Sequence, residues 1–171
     1  GGPGSCTGVR IAGAVVQGIA LGADLPVAPV STLAAIAQDH LNRHTETGLV
    51  FTAMDARMDE IFWACYRRQT DGLAILHGEE VVTPAQDVDF PLEPGYGVGS
   101  GWGVYPEILG ARLHAILQGV ETEVWPAAAC VAQLAAAMAS QGLTVPVEAA
   151  MPVYLRDKVA KKQSEIGRAH V

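Results

Sequence analysis

Cysteine is scarce in this chain: Cys6, Cys65 and Cys130 stand far apart, with no CxxC pair among them. That excludes a disulfide framework and supplies no zinc-finger spacing, and it fits a reducing cytoplasm. Positive charge is scarce too, with 11 Lys and Arg against 18 Asp and Glu and a formal charge of -7. A stand-alone nucleic-acid binder, whose affinity rests on clustered cations neutralising phosphates, is thereby excluded, although acidic subunits can serve RNA enzymes. No long uninterrupted apolar run is present. The nearest one, residues 9–25, is broken by Gln17 and Asp24 and is rich in glycine, so a membrane span is not expected. There is no signal-peptide pattern and no initiating methionine. The chain opens instead on a glycine-rich turn of the kind found inside domains, and a segment ahead of it is expected to be missing.

What is there is apolar and compact. At 171 residues and 50% hydrophobic, the chain can bury a substantial core as one or two modest soluble domains. Gly2 and Gly4 bracket Pro3, so the backbone can bend sharply, and Ser5 or Thr7 can cap the helix that follows. From Gly8 to Gly22 apolar residues cover most of the helix circumference, which predicts burial on two sides. Gly8, Gly13, Gly18 and Gly22 each lower helicity by about 1 kcal/mol relative to alanine, and close packing is the expected compensation.

The remainder reads as α/β. Pro26 to Val30 is expected to form a short buried strand, and Ser31 or Thr32 to cap a helix through Leu33, Ile36, Ala37 and Leu41. Leu49 to Met54 and Glu60 to Arg68 form a hairpin around a charged turn, Asp55 to Asp59, with Ile61, Trp63 and Cys65 on one face. Leu73 to Leu76 and Glu79 to Thr83 are strand-like and expected to pair antiparallel, and Thr83-Pro84 opens a loop or short helix. Tyr96 to Gly99 is a short strand ending in a flexible turn, Gly99 to Gly103, and Pro126 starts an alanine-rich helix running to Ser140 or Gln141. Val153 to Arg156 reads as ordered. Residues 165–171 have neither period and look like a translated sequencing-adapter oligonucleotide, so the tail 163–171 is expected to be read-through.

Several constellations could carry chemistry, and each has a plainer competitor. The Gly2 to Gly8 loop entering a helix could cradle phosphate through backbone N–H groups, but it lacks the lysine of a P-loop and follows no visible strand. A structural turn is the favoured reading. His40 and His44, an i, i+4 pair beside Asp39, could chelate zinc, but the helix has no H-E-x-x-H glutamate and ends in a polar stretch suited to solvated histidines. Cys6 at a helix start could have a lowered pKa, against a packed small residue. Asp55, Arg57, Asp59 and Glu60 could hold an acid/base pair, against a solvated turn. Trp63, Trp102 and Trp125 are expected in the core or an interface rather than as stacking platforms. No catalytic set is visible from the residues alone.

The chain nevertheless resembles the bacterial TsaB family, also called YeaZ. The resemblance rests on Gly-Pro-Gly-Ser-Cys-Thr-Gly-Val-Arg-Ile at residues 2–11, Gln17 to Gly22, Val30 to Leu33, Asp55 to Met58, and Pro152 to Arg156 with Val159, Ala160, Lys161 and Lys162. These stretches run in family order over residues 1–162. The family has Phe where Cys6 stands and Gly where Ala12 stands, so a compensating neighbour or a smaller cavity is expected at the turn.

The resemblance implies a two-lobed RNase H-like fold of the sugar kinase/Hsp70/actin-like (ASKHA) superfamily, with the first lobe incomplete. Residues 1–42 would be the remnant of that lobe, 43–146 the second lobe, and 147–162 a segment returning to the first. It implies a cytoplasmic, non-catalytic scaffold, without cofactor or metal, that dimerises with TsaD. With the ATPase TsaE, that complex transfers a threonylcarbamoyl group to the adenosine beside the anticodon of tRNA. Without TsaD a homodimer is implied, and tRNA enters only as substrate of the complex. The motif turn would be Gly2, Pro3, Gly4, Ser5, Thr7 and Gly8. Val9, Arg10, Ala12, Gly13, Val16, Gln17 and Ala20 would form the partner interface. His40 and His44 follow the glycine motif, whereas the metal-binding histidine pair of TsaD precedes it. The alternative is a nucleotide-binding ATPase or a metallopeptidase of the same superfamily.

Overall fold

The computed structural model describes the backbone of residues 6–150 and the side chains of residues 14–150. Gly2, Pro3, Gly4 and Ser5 of the motif turn, the Val153 to Arg156 segment and the 163–171 tail lie outside the described residues. Helix α1 (Cys6–Ala23) opens the described chain. Thr7, considered above as its cap, lies within it. Helix α2 (Thr32–Arg43) follows, and its N-cap Ser31 accepts a hydrogen bond from the Leu33 N–H at 3.1 Å. Between the two helices the expected strand is reduced to one antiparallel bridge, Val27 to Val145. Pro26 and Pro29 have no N–H to donate, so a longer ladder cannot form there.

The centre is a five-stranded sheet. Strands β1 (Leu49–Arg57), β2 (Glu60–Arg68) and β3 (Ala74–Pro84) form an antiparallel meander. Strands β4 (Gly95–Val98) and β5 (Leu117–Glu121) add in parallel on the other side of β1, giving the order β3-β2-β1-β4-β5. The two pieces expected after Asp71 are thus one strand, irregular in register opposite Trp63 and Cys65. Both faces are covered, which explains why β1 is apolar almost throughout. Phe51, Ala53, Ile61, Trp63 and Cys65 face Trp102, Leu109 and Leu113 on one side. Val50, Ala64, Tyr66 and Val98 face Leu33, Ile36, Ala37 and Leu41 of α2 on the other. Helix α2, expected with the rest of residues 1–42 in the remnant of the first lobe, packs on this sheet. Helix α5 (Ala128–Ser140) lies beside it, with Asn42 Nδ2 donating to Gln133 Oε1 at 2.9 Å.

The segment after β4 departs most from expectation. In place of a flexible turn, Ser100–Val104 forms a short helix, α3, followed by α4 (Pro106–Leu113). Trp102 converts the glycine-rich stretch into packed structure: its ring is buried and its Nε1–H donates to the Phe51 carbonyl at 2.8 Å. Gly97 makes room for that ring, since a Cβ there would meet Trp102 at 2.5 Å. At the hairpin tip, Arg57, Met58 and Asp59 all have positive φ, and the Arg57 N–H donates to Asp55 Oδ1 at 3.0 Å. The Asp55 carboxylate shapes the turn, which favours the structural reading of this charged group.

Cys65 illustrates what burial does to a nucleophile. It is 3% exposed, and burial, reinforced by the Asp89 charge, pushes its thiol up to about 12. At pH 8 the thiolate fraction falls to roughly 10⁻⁴, about a thousandfold below that of an ordinary thiol. Iodoacetamide should leave Cys65 unlabelled in native protein and label it fully in urea, as read by site-resolved mass spectrometry. The pH dependence has a definite sign. The unfolded thiol loses its proton from about pH 8.5 while the native one keeps it, so the unfolded state binds fewer protons and stability falls as pH rises. The slope is about 1.4 kcal/mol per pH unit for one proton, between about pH 9 and 12. Tyr66, buried beside Glu80, is shifted in the same direction. An unchanged unfolding midpoint from pH 8 to 10.5 would contradict this.

Candidate functional site

A polar cluster forms where the end of α2 meets the end of β5. His40 and His44 are one helical turn apart, and their rings stack with centroids 4.4 Å apart. The helix end is fixed from β2: Arg68 Nη2 donates to the carbonyls of Leu41 at 2.5 Å and His44 at 2.7 Å, and its Nε donates to Thr47 at 2.8 Å. This holds Thr47, itself buried, with Oγ1 3.2 Å from His40 Nε2. Glu121 is delivered by the parallel pairing of β5 with β4 and by the Gly99 N–H, which donates to its carbonyl at 2.8 Å. Glu121 Oε1 lies 2.8 Å from His44 Nε2, and Oε2 lies 3.2 Å from His40 Nδ1 and 2.7 Å from Arg43 Nη2.

The expectation of solvated histidines is therefore corrected. His40 is 0% exposed, because β5 and Tyr96 close over the helix end. Neither β5 nor the role of Glu121 was recognised in the sequence. Arg43, hydrogen-bonded to Glu121, is the main reason its carboxyl is held down at about 2, against the opposing effect of burial. Burial lowers the His40 pKa and outweighs the raising influence of Glu121. The cluster thus pairs a neutral imidazole with an ionised carboxylate. Ligand atoms of His40, His44 and Glu121 all lie within 4.8 Å of one another, a donor set able to hold a divalent metal. Beside it runs a groove of about 550 Å³ bordered by Asp39, Arg43, Glu123 and Trp125.

A second candidate is the surface of α1. Val15, Val16 and Ile19 are 55%, 48% and 66% exposed and share one side of the helix, an apolar face that no described element covers; Leu21, 67% exposed, projects from another side. Of the expected partner residues, Val16 lies on this face. Ala20 is buried at 7% exposure, on the side of the helix that faces the chain's own packing. Gln17 is half-buried, and its Nε2 donates to the Ala150 carbonyl at 2.9 Å. The side chains of Val9, Arg10, Ala12 and Gly13, like those of Cys6, Thr7 and Gly8, lie outside the described residues. Val15, Ile19 and Leu21 were not singled out, although the apolar circumference of the helix carried the signal. No helix among the described residues is long and apolar enough to cross a membrane.

Comparison with known proteins decides the family. The model of TsaD, tRNA N6-adenosine threonylcarbamoyltransferase, matches residues 1–164. The tRNA threonylcarbamoyladenosine biosynthesis protein TsaB of Escherichia coli is 43% identical over 168 residues, covering 95% of this chain and 71% of the relative. The chain belongs to the TsaB (YeaZ) family. TsaB of Haemophilus influenzae is 32% identical over 171 residues, covering 95% of this chain and 70% of that protein. The solved YeaZ from Pseudomonas aeruginosa is similar with a TM-score of 0.80 at 39% identity, over 90% of this chain and 70% of that one. The mixed sheet with helices on both faces is accordingly the actin-like fold expected of TsaB. Its curated relatives are proteins of tRNA threonylcarbamoyladenosine biosynthesis.

Proposed function

We propose that this TsaB-family protein is a non-catalytic scaffold that pairs through α1 with a TsaD-type subunit during threonylcarbamoyl transfer to tRNA. The observation that carries the reading is the exposed face of Val15, Val16 and Ile19 on the helix that follows the glycine motif. An apolar face of this kind is costly in water and is stabilised by a partner. TsaD is favoured as that partner because the TsaD family model itself matches residues 1–164 of this chain. Two chains of related fold can present equivalent helices to each other in a pseudo-symmetric interface, as two copies of one chain do in an isologous dimer. Val9, Arg10, Ala12 and Gly13 extend the proposed surface towards the N-terminus of α1.

In this reading the reaction belongs to TsaD, TsaE acts through the complex, and tRNA is met as the substrate of the assembly, in the cytoplasm. The region from α1 to its contact with residues 147–149 belongs to one lobe and the five-stranded sheet to the other. Two features of the described residues speak against an enzyme: the Cys65 thiol is buried and protonated, and the Asp55 carboxylate is used in its own turn. Size-exclusion chromatography of the intact gene product mixed with its cognate TsaD tests the pairing. A stoichiometric complex is expected, and separate elution at micromolar concentrations would sink it.

A further inference from the structure

We propose that His40, His44 and Glu121 form a site for a divalent metal ion of the zinc class, bound by His40 Nδ1, His44 Nε2 and a Glu121 carboxylate oxygen. Two imidazoles and a carboxylate are the ligand types zinc prefers, whereas magnesium and calcium take sets made of oxygen. The spacing is appropriate. Glu121 Oε1 lies 2.8 Å from His44 Nε2 and Oε2 lies 3.2 Å from His40 Nδ1, and the donor atoms all lie within 4.8 Å of one another, against the roughly 3.3 Å that separates tetrahedral ligands about 2.0 Å from zinc.

A second observation favours a cation as ligand. His40 Nδ1 is a fully buried polar atom that no hydrogen bond satisfies, although it faces Glu121. Leaving such an atom unsatisfied is costly, and a metal accepting its lone pair would remove the penalty. The outer partners are also in place. The remote nitrogen of His40 lies 3.2 Å from Thr47 Oγ1, and Arg43 holds a Glu121 oxygen. Orienting partners of this type fix the ring and tautomer of ligating histidines. Arg43 competes for the same carboxylate, so binding weaker than in a closed structural zinc site is expected.

The test uses the intact gene product, stripped with chelator and titrated with Zn²⁺ alone by isothermal calorimetry. One ion per chain is expected, unaffected by millimolar Mg²⁺, with affinity reduced at least 100-fold in His44→Gln and in Glu121→Gln. Zinc should also raise the melting temperature of the unaltered protein and leave that of His44→Gln unchanged. His44 is a third exposed, so that variant should fold, as circular dichroism would verify. X-ray absorption of the zinc-loaded unaltered protein needs no variant and should show two imidazole nitrogens with oxygen. Absence of saturable binding, equal binding by both variants, or sulfur in the coordination sphere would overturn the proposal.

Discussion

Gly99→Ala is expected to destabilise the protein by about 2–6 kcal/mol. Gly99 has φ of 110°, a conformation that costs an L-residue about 1–3 kcal/mol. A Cβ there would also meet the Ala53 carbonyl oxygen at 2.4 Å and the Ile36 side chain at 3.0 Å. The nearer obstacle is the backbone of Ala53, paired with Trp63 of β2 and next to Thr52, where β1 pairs with β4, so it cannot yield without moving the sheet. Such forced contacts cost about 1–3 kcal/mol more. The Gly99 N–H also holds the Glu121 carbonyl, so the polar cluster is displaced with it. Gly103→Ala is the control. There a Cβ meets Thr122 at an ordinary 3.5 Å, and the residue is helical, so little change or a gain of up to about 1 kcal/mol is expected. Urea unfolding of both variants decides, and equal midpoints would contradict the account.

Val16→Asp combined with Ile19→Asp is expected to weaken association with TsaD by at least 100-fold while leaving the fold intact. Both side chains are exposed in this chain, at 48% and 66%, and polar replacements at such sites stay within about 0.5 kcal/mol of the original stability. In the complex the same positions would lie in a desolvated helix interface. There, loss of an apolar anchor costs about 2 kcal/mol or more, and an unpaired carboxylate adds its own penalty. Val120→Asp, on β5 at 43% exposure and away from α1, should bind normally. Surface plasmon resonance with immobilised TsaD, alongside thermal melting, separates interface from stability. Unchanged affinity in the double variant would remove α1 from the interface.

What was legible in the sequence follows from where local chemistry and tertiary packing agree. Helix α2 was announced by Ser31 and its apolar spacing, and the β1–β2 hairpin by alternation through Ile61, Trp63 and Cys65, because each pattern acts within a few residues. Strand β5 was missed. Leu117 to Glu121 contains Gln118 and Gly119, and its burial pattern is intermediate, as befits an edge strand with one neighbour. Helices α3 and α4 were missed because Gly99, Gly101 and Gly103 read as flexibility, whereas Trp102 and Leu109, anchored in the core, impose the structure.

The cluster at His40 suffered most from the loss of β5. Its carboxylate partner lies 81 positions along the chain from His40, and no local spacing joins them. Burial of His40 depends on that long-range pairing and on Arg68 closing the helix end. The apolar circumference of α1, by contrast, was legible, but which side the chain itself covers was not. Only the contact of Gln17 with Ala150 and the burial of Ala20 distinguish the inner side from the outer.

The most direct measurement is threonylcarbamoyl transfer to tRNA by cognate TsaD and TsaE, assayed with and without the intact gene product. The account predicts that transfer requires the protein, saturates at one equivalent per TsaD, and is lost in the Val16→Asp, Ile19→Asp variant. Alone, the protein should neither transfer the group, hydrolyse ATP nor cleave peptides. Turnover by the purified protein alone, abolished by substitution at Gly4, Thr7, His40 or His44, would contradict the scaffold reading and restore the enzyme alternative.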